Sequence, residues 1–198
     1  MAKFGVGQSV KRKEDDELLR GAGSFQEDLN LADQVHAYFL RSPHAHADIE
    51  KIDSAPALAI PGVVAIYTGA DVEADGLGTV PCVMDAFVPL TRPDGSPRYY
   101  PPNYLLPKAR VRHVGEAVAM VIAETPVQAR DAAEMIEVTY SELPCVVETA
   151  GPEAPDAPTL WPEAPGNLSF VWEHGDRAAT DDAFAKAERI VSLDLVNS

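Results

Sequence analysis

Regular alternation of apolar and polar positions first appears near residue 35. Val35, Ala37 and Phe39 alternate with His36, Tyr38 and Leu40, and a period of two puts each set on one face of a strand. The pattern predicts a strand there with one side well buried. Residues 47–53 predict a second strand, with Ile49 pointing inward. Ser54 opens a short helical turn through Ala57 and Leu58, ended by Pro61-Gly62. The run Gly62-Val63-Val64-Ala65-Ile66-Tyr67 is nearly all β-branched or aromatic, which predicts a buried central strand. Thr68 can cap the turn that follows, with Asp71 placed to favour its N-terminus.

Residues 72–107 interrupt the pattern with Pro81, Pro89, Pro93-Asp94-Gly95, Pro97, Pro101-Pro102 and Pro107. Loops longer than about 12–15 residues usually have a use. With Tyr99-Tyr100 and Tyr104 in it, this one is expected to be a partly ordered excursion packed on a neighbouring domain or subunit. Order returns with a strand over 108–111 and a fully buried strand over 117–123. Thr125-Pro126-Val127-Gln128 is a helix start, with Thr125 as cap, Pro126 in the first turn and Gln128 completing a capping box. Ala129, Ala132, Ala133 and Ile136 follow at i, i+3, i+4 and i+7, an apolar face whose small side chains allow close approach to a sheet. Arg130, Asp131 and Glu134 lie away from it. Ile136, Val138 and Tyr140 then alternate with Glu137 and Thr139 as a half-buried strand.

The two ends read differently. Residues 1–20 are charged and aperiodic, and predict an extended arm, closed by a tight backbone passage at Gly21-Ala22-Gly23. Pro152, Pro155, Pro158, Pro162 and Pro165 mark a linker over 148–168. Beyond it a strand (169–172), a turn at Gly175-Asp176, a helix (181–187) and a strand (190–195) can be read. They are too few to bury a core, so residues 169–198 are expected to begin a further domain. No internal repeat is present.

The sequence has 198 residues, 46% of them hydrophobic, in the range of ordinary globular proteins. No run approaches the roughly 18 apolar residues that a membrane span requires, and no signal core opens the chain. Acidic residues outnumber basic ones 31 to 16, for a net charge of -15. That surplus disfavours nucleic acid, whose phosphates must be neutralised by Lys and Arg. Two cysteines, Cys82 and Cys145, stand far apart. They cannot supply the four thiolates of most iron–sulfur centres or of a Cys₄ zinc site. The default reading of both is a buried, inert thiol in a reduced compartment.

Chemistry is sparse. His44 and His46, two apart, would share one side of a strand and with His36 could form a small metal site, though hydrogen-bonded histidines fit better. Gly115-Glu116, beside Arg110, Arg112 and His113, could orient a ligand or form a surface ion pair. The ion pair is the favoured reading, and such pairs contribute little. Gly5-Val6-Gly7 and Gly21-Ala22-Gly23 neither follow a predicted strand nor open a helix, so neither is a phosphate cradle. No GxSxG, HExxH or P-loop pattern occurs.

Five ordered segments between residues 18 and 147 carry a resemblance. They are Arg20-Gly21-Ala22-Gly23-Ser24-Phe25 with Asp28; Arg41-Ser42-Pro43-His44-Ala45-His46-Ala47-Asp48-Ile49; residues 59–68 around Pro61-Gly62-Val63; residues 111–119 around Val114-Gly115-Glu116; and residues 137–144, ending Leu143-Pro144. Together they resemble the α/β-hammerhead domain of the molybdenum subunit in the xanthine dehydrogenase, aldehyde oxidase and carbon monoxide dehydrogenase family. Ala117 stands where that family usually has proline.

The resemblance implies an α+β fold, with a mixed β-sheet and few packed helices over residues 21–147, followed by the start of a cofactor domain. It implies an oxidoreductase whose activity resides in the full subunit, with this stretch inactive alone. Molybdenum–molybdopterin, as the cytosine dinucleotide, would sit in downstream domains, and [2Fe-2S] and FAD on two partner chains of a cytoplasmic complex that touches the membrane, if at all, only through that complex. No catalytic, cofactor-binding or metal residue transfers to this sequence. Arg41, His44, His46, Gly115 and Glu116 are the residues expected to support the fold or an interface, and the 81–107 excursion is expected to share in docking. A free-standing interaction module is the competing class.

Overall fold

A computed structural model of the chain describes residues 11–82, 90–148 and 156–195. In chain order the elements are α1 (Asp15–Leu19), β1 (His36–Arg41), β2 (Ala47–Asp53), α2 (Ala55–Leu58), β3 (Val63–Thr68), α3 (Gly69–Ala74), β4 (Arg110–Val111), β5 (Ala117–Ala123), α4 (Pro126–Glu134), β6 (Glu137–Glu142) and α5 (Arg177–Ala185). They form two three-stranded sheets, ordered β1-β5-β3 and β4-β2-β6. The chain divides into two compact units.

The first unit comprises the chain up to Leu40, with Asp53–Tyr67 and Ala119–Glu137. Its core is β5 and α4. Ala119, Val121 and Ala123 are fully buried, as are Ala129, Ala132 and Ala133, and Ile136 is 7% exposed. The alanine face thus does what its spacing predicts, and α4 packs on α2. Thr125 caps α4 by accepting from the Gln128 amide at 3.2 Å. Gln128 departs from a capping box. Its Oε1 accepts from the Thr125 hydroxyl at 2.8 Å, and its Nε2 donates to the Pro61 carbonyl at 3.1 Å, tying the helix start to the turn before β3.

Two strand expectations need correction. β3 is an edge strand, because β5 occupies the centre of its sheet, and Val64 is 57% exposed. β1 lies on the opposite edge, and neither of its sides is well buried, since Tyr38 is 40% and Phe39 41% exposed. β-branched and aromatic runs suit any pleated surface, so they report strand formation but not strand order. The expected arm is also partly helical, since Asp15–Leu19 makes one helical turn.

The second unit comprises Arg41–Ile52, Thr68–Val118 and Val138–Ser198. β2 and β4 run antiparallel, with Asp48 opposite Arg110. Val111 and Val118 are fully buried. Thr68 and Asp71 form the capping box of α3, with both the amide and hydroxyl of Thr68 donating to the Asp71 carboxylate at 2.7 Å. Gly69 lies against the backbone of Pro107 and Lys108, where a Cβ would stand 2.6 Å from main-chain atoms.

Both Pro-rich stretches are fastened together within this unit. The Tyr99 amide donates to the Ser169 carbonyl, and the Val171 amide to that of Thr91. Ser169 Oγ donates to the Tyr99 carbonyl at 2.7 Å. The strand expected at 169–172 is a single bridge at Val171, and none forms over 190–195. The tail helix begins four residues earlier than expected, capped by Asp176. Gly5-Val6-Gly7 and part of the 72–107 excursion lie outside the described residues.

Candidate functional site

The predicted support residues converge in the second unit on one small framework. Ser42, 2% exposed, donates its amide to the Glu116 carbonyl at 2.9 Å, and its own carbonyl accepts from the Gly115 amide at 2.8 Å. Arg41 adds a third bond, Nη1 to the Gly115 carbonyl at 2.8 Å. Gly115 has φ +86 with nothing near its missing Cβ. Glycine is therefore required there for backbone conformation, not for space. The Glu116 carboxylate turns back to accept from the Arg112 amide at 2.6 Å, with His113 Nδ1 3.6 Å away. Glu116 thus closes its own turn and is only secondarily an ion pair.

The histidines separate. β2 begins at Ala47, so His44 and His46 lie in the preceding loop and not in a strand. The His44 amide donates to Ser42 Oγ at 3.0 Å. Its ring packs on Tyr140 with centroids 4.7 Å apart, and its Nδ1 is 3.5 Å from Glu142. Burial pushes the Tyr140 phenol up, partly offset by a hydrogen bond with Ser42. His46, 6% exposed, bonds through Nδ1 to the Pro144 carbonyl at 2.7 Å, so Nδ1 carries the proton. Its Nε2 is buried without a partner. The two rings serve different contacts: that of His46 is hydrogen-bonded to the main chain, and that of His44 packs against Tyr140.

Next to this framework lie Arg110 on β4 and Arg112 just after it. Arg110 holds Asp48 through Nε–Oδ1 at 2.5 Å and Nη2–Oδ2 at 3.1 Å. That pairing draws the Asp48 carboxyl below the ordinary range and raises Arg110. Arg112 stacks on Trp161 with its guanidinium carbon 3.5 Å from the ring centroid, and donates Nε to the Leu160 carbonyl at 3.2 Å. Asn167 fixes that turn by accepting from the Leu160 amide and donating to the Pro158 carbonyl. Neither thiol is buried as expected. Cys82 and Cys145 are free and exposed, because both sit on Pro-rich backbone that runs over the surface.

Residues 20–144 match the family model for the aldehyde oxidase and xanthine dehydrogenase a/b hammerhead domain. The chain belongs to this family. The hammerhead chain is 33% identical to the carbon monoxide dehydrogenase large chain of Afipia carboxidovorans, covering 96% of this chain and 23% of that relative. It is 34% identical to the nicotine 6-hydroxylase large subunit of Paenarthrobacter nicotinovorans, covering 94% and 21%. Its fold matches a crystal structure of Cu,Mo-CO dehydrogenase with TM-score 0.73 and 33% identity, over 93% of this chain and 23% of that one. The hammerhead chain spans less than a quarter of the length of these relatives.

Among the described residues, no group of three or more His, Cys, Asp or Glu side chains could hold an ion, and no helix is long and apolar enough to cross a membrane. The partners Tyr140, Glu142 and Pro144 escaped sequence reasoning, although Tyr140 on a predicted half-buried strand was a visible signal. The Arg112–Trp161 stack joins positions too far apart in the chain for any local signal to reveal.

Proposed function

We propose that the hammerhead chain is a positioning element of the large subunit of a molybdenum hydroxylase, and acts in a larger oxidoreductase that acts on carbon monoxide, aldehydes or N-heterocycles. One observation carries this reading: the match over residues 20–144 coincides with a fold shared with an enzyme that contains molybdenum. On this reading residues 21–147 are the hammerhead domain, 148–168 the linker and 169–198 the first part of the next domain. The molybdopterin cofactor is held by downstream domains, and iron–sulfur and FAD subunits dock beside it in a cytoplasmic assembly.

The contribution of this chain is mechanical. The clamp of Arg41 and Ser42 on Gly115-Glu116, together with the His46–Pro144 bond, holds three surface segments in fixed register. Small displacements of reacting groups cost rate steeply, so a rigid support is functional without touching substrate. The exposed part of the excursion, where Tyr104 and Leu105 are each 45% exposed, is the surface assigned to docking.

Leu105→Asp in the full large subunit, co-expressed with its partner chains, tests this by size-exclusion chromatography. Loss of co-elution with a folded subunit is the expected result. Unchanged assembly and unchanged turnover would reject the docking role and favour a self-contained module.

A further inference from the structure

A cleft of ≈ 450 Å³ opens in the second unit beside β4 and α3, with Val72, Leu77, Tyr104 and Leu106 among its walls. Lys108, Arg110 and Arg112 also line it. Two of these cations are already matched. Lys108 pairs with Glu73, and Arg110 is held in the bidentate grip of Asp48.

Arg112 differs. A guanidinium has five N–H donors, and among the described residues Arg112 donates only through Nε, to a neutral carbonyl. The nearby carboxylate of Glu116 is turned to the Arg112 amide. Burial works against the Arg112 charge and the neighbouring Arg110 adds to that, with Glu116 partly opposing them. Glu116 balances this charge through space without hydrogen-bonding the guanidinium, which leaves the fork open to a ligand oxyanion. Its geometry is already set, since the Trp161 face fixes the plane and Asn167 fixes the turn that carries Trp161. Little ordering remains to oppose binding.

We propose that this cleft binds a small organic oxyanion, a single carboxylate or phosphate on an apolar body, held by the free donors of Arg112. A planar fork matches either group in bidentate fashion. The cleft volume suits a small molecule, and the apolar walls receive the body. The net charge of -15 opposes any anion and repels a polyanion more strongly than a single oxyanion. The cleft shares Tyr104 with the surface assigned to docking, and its ligand binding is read separately from subunit assembly.

The chain has two tryptophans, so Trp172→Phe leaves Trp161 as the sole reporter under Arg112. Titrating this variant of the full chain with benzoate and with phenyl phosphate, at constant ionic strength, reads the site by fluorescence. A saturable change with either probe is expected, and the stronger of the two identifies the oxyanion. Acetate and inorganic phosphate, which lack the apolar body, should bind at least about tenfold more weakly. Arg112→Gln should weaken binding tenfold or more, and Arg112→Lys, which keeps the charge but loses the fork, should also weaken it. Arg130→Gln on α4 should leave it unchanged. Absence of saturation with both probes overturns the proposal. So does equal affinity in the Arg112 variants, of which the lysine form also serves if the glutamine form does not fold.

Discussion

Removing two carbons from the centre of the β1-β5-β3 sheet should cost far more than removing them from its edge. Val121 on β5 is fully buried, whereas Val64 on β3 is 57% exposed. Val121→Ala loses about 1.6 kcal/mol of transfer free energy, at roughly 0.8 kcal/mol per buried CH₂. The cavity adds about 1 kcal/mol if some 50 Å³ stays open at roughly 24 cal/mol per Å³. Collapse is limited because Ala119 and Ala123 on the same strand and Ala129, Ala132 and Ala133 on α4 are already minimal side chains. The expected loss is therefore about 2–3 kcal/mol, a fall in Tm of roughly 5–10 °C for a chain of this size. Val64→Ala, the same chemical change, should cost under about 1 kcal/mol, since its side chain keeps most of its water in the folded state. Thermal and urea unfolding followed by circular dichroism measure both. Equal losses for the two variants would refute the placement of β5 at the centre and β3 at the edge.

Other expectations follow from single contacts. Thr125→Ala removes the side-chain cap of α4 and should cost about 1 kcal/mol in urea unfolding. Gly115→Ala should cost about 1 kcal/mol for its positive φ alone, while Gly69→Ala should cost clearly more, because its Cβ meets main-chain atoms of Pro107 and Lys108 at 2.6 Å. The Asp71 carboxyl is held below its ordinary value by hydrogen bonds from Thr68, with the hydroxyl bond the largest cause. A depressed folded value means that its stabilisation is complete above the unfolded carboxylate range near pH 4 and is lost as pH falls through the folded value. The gap in urea midpoint between the native chain and Asp71→Asn should therefore be wide at pH 7 and narrow progressively as the pH falls below about 4.

What was legible in the sequence was whatever local periodicity encodes. β5 and α4 announced themselves because a buried strand is continuously apolar and a helix face repeats at i, i+3, i+4 and i+7, and Thr125 and Thr68 carry their caps within four residues. Strand order is a non-local property, so β3 read as a central strand and β1 as well buried on one side, although both form the sheet edges. The Pro-rich stretches looked loose, because composition reports the absence of helix but not the bonds that Ser169, Val171 and Asn167 make. At the candidate site, the 41–46 segment and Gly115-Glu116 stood out one by one. Their mutual clamp is a pairing across more than seventy residues, and the partner of His46 lies at Pro144, beyond any spacing rule. The thiols were misjudged for the same reason, as an apolar neighbourhood in sequence is not burial in space.

Metal analysis of the purified 198-residue chain, made in cells that synthesise the molybdenum cofactor, tests the central claim that this hammerhead chain is a support without a cofactor of its own. The account predicts a folded chain with no stoichiometric molybdenum and no oxidation of carbon monoxide, aldehyde or N-heterocycle. One molybdenum per isolated chain, with turnover, would contradict it.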